Sequence, residues 1–312
     1  MMSGRPCWKH WPSERIGVTL AILAAFGFSF KAILIKLAYA VPQSAPVDPV
    51  TLLSLRMLFS LPVFAWVAFQ SSRSAPSLTR RDWLVLAMLG LLGYYGASIF
   101  DFIGLKYISA GLERLILFTY PTLTLLIGVL FMGRTIRRRE VGALLLSYAG
   151  IGLAFVHDLN FSGAAGTVVI GGLFVFASSL TYSIYLTGST PMIQRLGSVR
   201  FTAWVMLIST LATELHFFSV NSISVLVQPL PVYAYGAAMA LFSTIAPIFM
   251  LSAAIRRIGP STTVLIGTLG PVLTIFFSWW LLGEPISLEQ MAGTGLVLAG
   301  VLLVSSGGRS RK

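Results

Sequence analysis

Ten mainly apolar stretches run along the chain, at 16–40, 50–70, 83–105, 109–132, 139–157, 167–188, 200–218, 231–254, 259–282 and 288–306. Each is near the ~20 residues an α-helix needs to cross a bilayer. The polar breaks carry Pro, Gly, Ser or clustered Arg, as in QSSRSAPSLTRR at 70–81 and STPMIQRLGSVR at 189–200. No break is long enough to hold a soluble domain. The pattern predicts an all-α integral membrane protein with ten transmembrane helices. The first stretch has a rival reading as a cleaved leader, since Arg5, Lys9 and Arg15 precede it and AYA stands at 38–40. Its length, and Lys31 and Lys36 just before that site, favour a retained helix.

The stretches repeat. Ile108 lines up with Ile258, Pro121 with Pro271, Gly133 with Gly283 and Gly150 with Gly300, without a gap. A repeat of this length divides the chain into two five-helix halves, 16–157 and 167–306, between tails 1–15 and 307–312. Five is odd, so the second half enters the membrane inverted relative to the first. That explains a reversal of charge within the repeat. One turn carries Arg134, Arg137, Arg138 and Arg139, while its counterpart carries Glu284 and Glu289.

Charge fixes the sides. With the N-terminus in the cytoplasm, the cytoplasmic segments collect Arg5, Lys9, Arg15, Arg73, Arg80, Arg81, Arg134, Arg137, Arg138, Arg139, Arg195, Arg200, Arg256, Arg257, Arg309, Arg311 and Lys312. The opposite side collects Lys106 alone, the asymmetry that the positive-inside rule demands. Both termini are therefore expected in the cytoplasm, with the protein in the plasma (inner) membrane. Trp11, Trp83, Trp279 and Trp280 stand at span ends, where indole rings favour the headgroup level.

Composition narrows the function. Of 312 residues, 56% are hydrophobic and 10% charged, far from the ~25% charged residues of soluble domains. The net charge of +12 is dispersed between apolar runs, so nucleic acid is not the expected partner. Cys7 is the only cysteine. Metal-ligand spacing, HExxH, GxSxG and Walker-type glycine loops are absent from the sequence, so no metal, cofactor or enzyme activity is expected. The expected partners are the bilayer, a small-molecule substrate and a coupling proton, with the protein a monomer or homodimer.

Seven formal charges fall inside spans: Lys31, Lys36, Arg56, Asp101, Glu113, Arg114 and Glu214. A charge at a helix centre costs about 2.5–3.5 kcal/mol on insertion scales, so its default reading is functional. Most gather toward the outer side. They either pair and snorkel, Asp101 with Lys36 or Arg56, or form a gate of Lys36, Arg56, Asp101, Glu113 and Arg114 that closes by ion pairing. Lys31 lies deeper, with Phe28 one turn before it, and is the candidate for an anionic group of the substrate or a carboxylate that replaces it. Glu214 is the candidate for proton coupling. Tyr94, Tyr95, Tyr120, Tyr182 and Tyr185 offer hydroxyls and aromatic faces, though such residues also serve packing. Pro121, Pro247 and Pro271 lie inside spans as candidate hinges, each removing a backbone hydrogen bond. Ala143 and Ser147, Gly150 and Ala154, and Gly295 and Ala299 have small-xxx-small spacing, which suits packing seams. His157 and Asp158 read as loop residues.

The segment LGEPISLEQMAGTGLVLAGVLLV at 282–304 resembles the last helix pair of the drug/metabolite transporter superfamily, in its ten-helix EamA type. FTYPTLTLLIGVLFMGR at 118–134, LAAFGFSFKAILIKLA at 23–38 and LSLRMLFSLP at 53–62 are similar to its other helices. The segment 23–38, similar to the family's first helix, departs from a common Trp-Gly at Phe26-Gly27, and Arg134 stands where many relatives keep an acidic residue. The resemblance implies a secondary transporter working by alternating access, with spans one, three, four, six, eight and nine lining a midplane cavity. The residues favour export of a small polar or amphipathic metabolite bearing a carboxylate, such as an amino acid. Small relatives that pump cationic drugs use a glutamate in the first helix, where this chain has Lys31. Exchange of phosphorylated or nucleotide-linked sugars calls for basic residues on the cavity helices of both halves, and the second half has none within its spans. An intramembrane enzyme calls for acids, bases or metal ligands converging at one depth, and the few acids provide no such set.

Overall fold

The computed structural model describes residues 13–43, 47–73, 75–133, 135–136, 138–162 and 165–306, leaving aside the side chains at 132, 160–162, 260, 261, 264 and 304–306. Its spans are α1 (Ser13–Tyr39), α2 (Pro49–Ser72), α3 (Arg80–Gly104), α4 (Ala110–Phe131), α5 (Arg138–Leu159), α6 (Ala165–Leu196), α7 (Ser198–Val220), α8 (Leu230–Gly259), α9 (Leu265–Leu282) and α10 (Leu288–Leu303). Among the described residues, the first nine are long and apolar enough to cross a bilayer, and α10 is a shorter apolar helix. Apolar side chains such as Trp66, Phe69, Leu130, Leu173, Leu215 and Trp280 face outward. That arrangement suits a hydrocarbon solvent, because water would penalise it. Residues 1–12 (Trp11 among them) and 307–312 of the tails, together with Arg134 and Arg137, lie outside the described residues, while Arg15 lies in the first turn of α1.

The repeat extends through local geometry. Helices α3 and α8 begin at 80 and 230, and α5 and α10 at 138 and 288. Wide π-turns lie at 91–96 in α3 and 241–245 in α8. Gly133 (φ 65°, ψ 20°) and Gly283 (φ 68°, ψ 17°) end α4 and α9 in the same left-handed conformation. All these pairs stand 150 residues apart, and glycine adopts that conformation without the steric cost a β-carbon would add.

The halves pack about a pseudo-two-fold axis. Gly150 in α5 meets the Gly293 carbonyl in α10 so closely that a β-carbon there would collide with it. A β-carbon on Gly300, the equivalent of Gly150, would come within 2.7 Å of the carbonyl of Ala143, the equivalent of Gly293. Such reciprocity marks a two-fold interface. Rising numbers in one helix meet falling numbers in the other, so the equivalent helices run antiparallel and the repeats are inverted. Ala143, Ser147 and Ala154 belong to this seam and are fully buried. Gly295, expected in it, has nothing within 4 Å of its β position; the seam is made by Gly293 and Gly300, one face around the helix.

Helices α4 and α9 are broken at matching places. In α4 the helix 110–117 stops at Phe118 and Thr119 and restarts at Tyr120; in α9 the break is at Thr268. Pro121 and Pro271 stand in the first turn after each break, where proline costs least. Pro247 follows the α8 π-turn in the same way. Lipid supplies no hydrogen bonds, so backbone groups freed by a break need protein partners. Ser29 of α1 donates to the Gly270 carbonyl at 3.0 Å. Ser179, its counterpart 150 residues on, lies 2.8 Å from Thr119 Oγ1 and donates to the Leu117 carbonyl at 3.2 Å. Each serine reaches across to the broken helix of the other half.

Candidate functional site

The charges cluster where α1, α2, α3 and the first turns of α4 meet. Lys31 Nζ lies 2.6 Å from Asp101 Oδ2 and 3.4 Å from Glu113 Oε1. Lys31 is partly accessible (side chain 19%), whereas Asp101 and Glu113 are 1% and 0% exposed. Asp101, expected to pair with Lys36 or Arg56, forms its ion pair with Lys31 instead. Lys36 stands one to two turns further along α1 and reaches Glu284 in the α9–α10 turn, at 3.4 Å. The depth difference between the lysines explains the exchange of partners. Arg56, also buried, donates from Nη2 to Ser98 Oγ at 2.9 Å and lies over the Phe102 ring. Arg114 lies over Phe118, with its guanidinium against Gly270.

The first turn of α4 is held in place by acids from elsewhere. The Ser109 N–H donates to Asp158 Oδ2 at 2.7 Å, and its hydroxyl donates to Oδ1 at 2.6 Å. Ser109 Oγ accepts from the Leu112 N–H, and the Ala110 N–H donates to Glu284 at 3.1 Å. These bonds satisfy helix-start donors inside the protein and put negative charge at the positive end of the helix. Asp158, read from sequence as a loop residue, lies in the last turns of α5 and is 2% exposed. Glu284 therefore does more than follow the side of the membrane. It bridges α1 in the first half to the α9–α10 turn in the second.

Four of the five tyrosines meet. Tyr94 and Tyr185 are edge-on at 5.4 Å, Tyr120 and Tyr182 at 5.6 Å, and Tyr182 stacks on Tyr185 at 5.7 Å. They form one aromatic wall between α3, α4 and α6. Tyr95 is not in it; its hydroxyl lies 3.0 Å from His216 Nδ1 of α7. Consecutive residues on a helix point about 100° apart, so Tyr94 and Tyr95 serve different faces. Phe28 is half-buried against the main core. Glu214 faces α2, where Ser54 Oγ donates to Oε2 at 2.8 Å, away from the charged cluster. Further along α4 and α6, Leu123, Leu126, Ile127, Leu180 and Ile184 line an open apolar groove of about 530 Å³ bordered by the outward-facing Leu130 and Phe131.

The second half carries no copy of the charges. The counterparts 150 residues on from Lys31, Lys36, Arg56, Asp101, Glu113 and Arg114 are Thr181, Leu186, Met206, Leu251, Thr263 and Val264. The two halves thus differ in this cluster, where Lys31, Asp101 and Glu113 are ion-paired.

An all-α, ten-helix membrane protein in two inverted repeats, with broken helices at matching positions, is the architecture of a carrier. Residues 15–156 and 169–306 both match the EamA-like transporter family, and the chain belongs to that family. An uncharacterized transporter of Bacillus subtilis, YcbK, is 28% identical over 307 residues, covering 95% of this chain and 93% of that one. An uncharacterized transporter of Archaeoglobus fulgidus is 22% identical over 291 residues, covering 92% and 97%. A protein of solved crystal structure superimposes with TM-score 0.65 at 18% identity, over 94% of this chain and 97% of that one, which shows a shared fold. The general role is therefore transport across a membrane.

Proposed function

We propose that the protein is a secondary carrier that exports a small zwitterionic metabolite, such as an amino acid, through the plasma membrane with both termini in the cytoplasm. The observation that carries this reading is the Lys31–Asp101–Glu113 cluster. It presents one cation and two carboxylates within 3.4 Å, on helices α1, α3 and α4. A cargo carboxylate takes the place of Asp101 at Lys31, and a cargo ammonium takes the place of Lys31 at the carboxylates. The exchange leaves the buried charge balanced, which an ion of one sign alone does not. The tyrosine wall and the apolar surface beyond it receive the rest of an amphipathic cargo. Inverted halves provide two arrangements of similar energy, one open to each side. The basic segments on one side of the spans support the orientation.

The test is a metabolite comparison of cells and membrane vesicles with and without the protein, followed by uptake of the hits into proteoliposomes. A zwitterion should move with the wild type and stop with Lys31→Ala at normal expression. Wild-type transport by that variant would make Lys31 structural.

A further inference from the structure

Asp101 and Glu113 are unusual as a pair, whatever the cargo. Both carboxyls face the single ammonium of Lys31, at 2.6 and 3.4 Å, and both residues are buried. Among the described residues, none of their four oxygens has a hydrogen-bond donor, and their ion-pair contacts are those to Lys31. Buried carboxylates ordinarily accept several hydrogen bonds, and two of them at one ammonium repel each other, which favours a proton on the pair. The other charged or titratable groups on the packed elements make their direct contacts elsewhere, with Arg56 and Arg114 acting on the pair only through their charge. Arg56 of α2 bonds Ser98 and covers Phe102, and Arg114 of α4 lies on Phe118 and Gly270. Lys36 of α1 and Glu284 of the α9–α10 turn hold each other, and Tyr39 donates to the Phe102 carbonyl at 2.8 Å. Tyr94 of α3 turns to Tyr185 of α6.

We propose that Asp101 and Glu113 share one bound proton and are the proton site of this transporter, in place of Glu214. A single proton between the carboxyls supplies the missing donor and leaves one negative charge for Lys31. Both are thereby satisfied without water. Resting on the carrier reading above, the site also explains coupling. The proton and the cargo ammonium need the same oxygens, so each displaces the other. Exchange of an inward proton for an outward zwitterion follows from that competition. Glu214 differs, since it is half-buried and its Oε2 accepts from Ser54.

The experiment uses purified full-length protein without cargo and reads the infrared C=O stretch of protonated carboxyls as pH is varied. At neutral pH the wild type should show one such band, and both Asp101→Asn and Glu113→Gln should remove it, because the remaining carboxylate then has Lys31 to itself. Each variant must first elute as a single folded species. If either fails to fold, the wild-type band decides, with its shift in deuterium oxide reporting an exchangeable proton. Absence of the band in the wild type overturns the proposal. So does its survival in both variants, or its loss in Glu214→Gln alone. The measurement is independent of substrate, so a failed transport assay and a failed titration are separate results.

Discussion

Replacing Lys31 with methionine removes the charge and keeps most of the side-chain volume. At 2.6 Å from Asp101, the bare attraction is about 6 kcal/mol with an effective dielectric near 20. Desolvation offsets much of that, and removing one partner of a buried pair typically costs about 3–5 kcal/mol, because the other is left uncompensated. The cost falls on the arrangement in which α1, α3 and α4 are closed over the cluster. Opening that end lets water reach the carboxylates, so the closed arrangement loses about two to four orders of magnitude in relative population. Ile275 reports this, being 6% exposed and packed against Gly111 in the first turn of α4. In a Cys7→Ser background, Ile275→Cys should resist a membrane-impermeant maleimide from outside and react much faster once Lys31→Met is added. Equal rates with and without Lys31→Met would refute the reasoning that the cluster holds this end shut.

Three further outcomes are expected. Gly293→Leu should abolish a monodisperse protein on size exclusion, because its β position is occupied by the Gly150 carbonyl; Gly295→Leu, two residues on with open space, should elute as wild type. Ser29→Ala and Ser179→Ala should each lower thermal stability in detergent by about 1–3 kcal/mol, the range for leaving a buried polar partner unmade, with similar sizes because their roles match across the axis. Glu284→Gln keeps the acceptor for the Ala110 N–H and removes the charge facing Lys36. It should therefore keep the fold and quicken labelling of Ile275→Cys by less than Lys31→Met does.

Most of the architecture was legible because lipid demands it. The apolar runs and their short polar breaks follow from the cost of backbone and charge in hydrocarbon, and the offset of 150 from the repeat. The charged residues could be picked out one at a time for the same reason. Their pairing could not, since whether Asp101 meets Lys31 or Lys36 depends on how far α1 and α3 are shifted along each other. Ser29 and Ser179 were missed because isolated serines carry no signal in composition; their common offset was the clue that would have found them. Asp158 was misread because α5 continues past the end of its apolar run. The Gly295 assignment failed through helical phase, since small-residue spacing alone does not say which face meets the neighbour.

The central claim is that the two halves are inverted in the membrane. Ile136 and Ile286 are repeat equivalents, 39% and 40% exposed, in the turns after Gly133 and Gly283. Single cysteines at these positions, in a Cys7→Ser background, should react with an impermeant maleimide from opposite sides, position 136 from the cytoplasm and 286 from outside. Labelling of both from the same side would contradict the account.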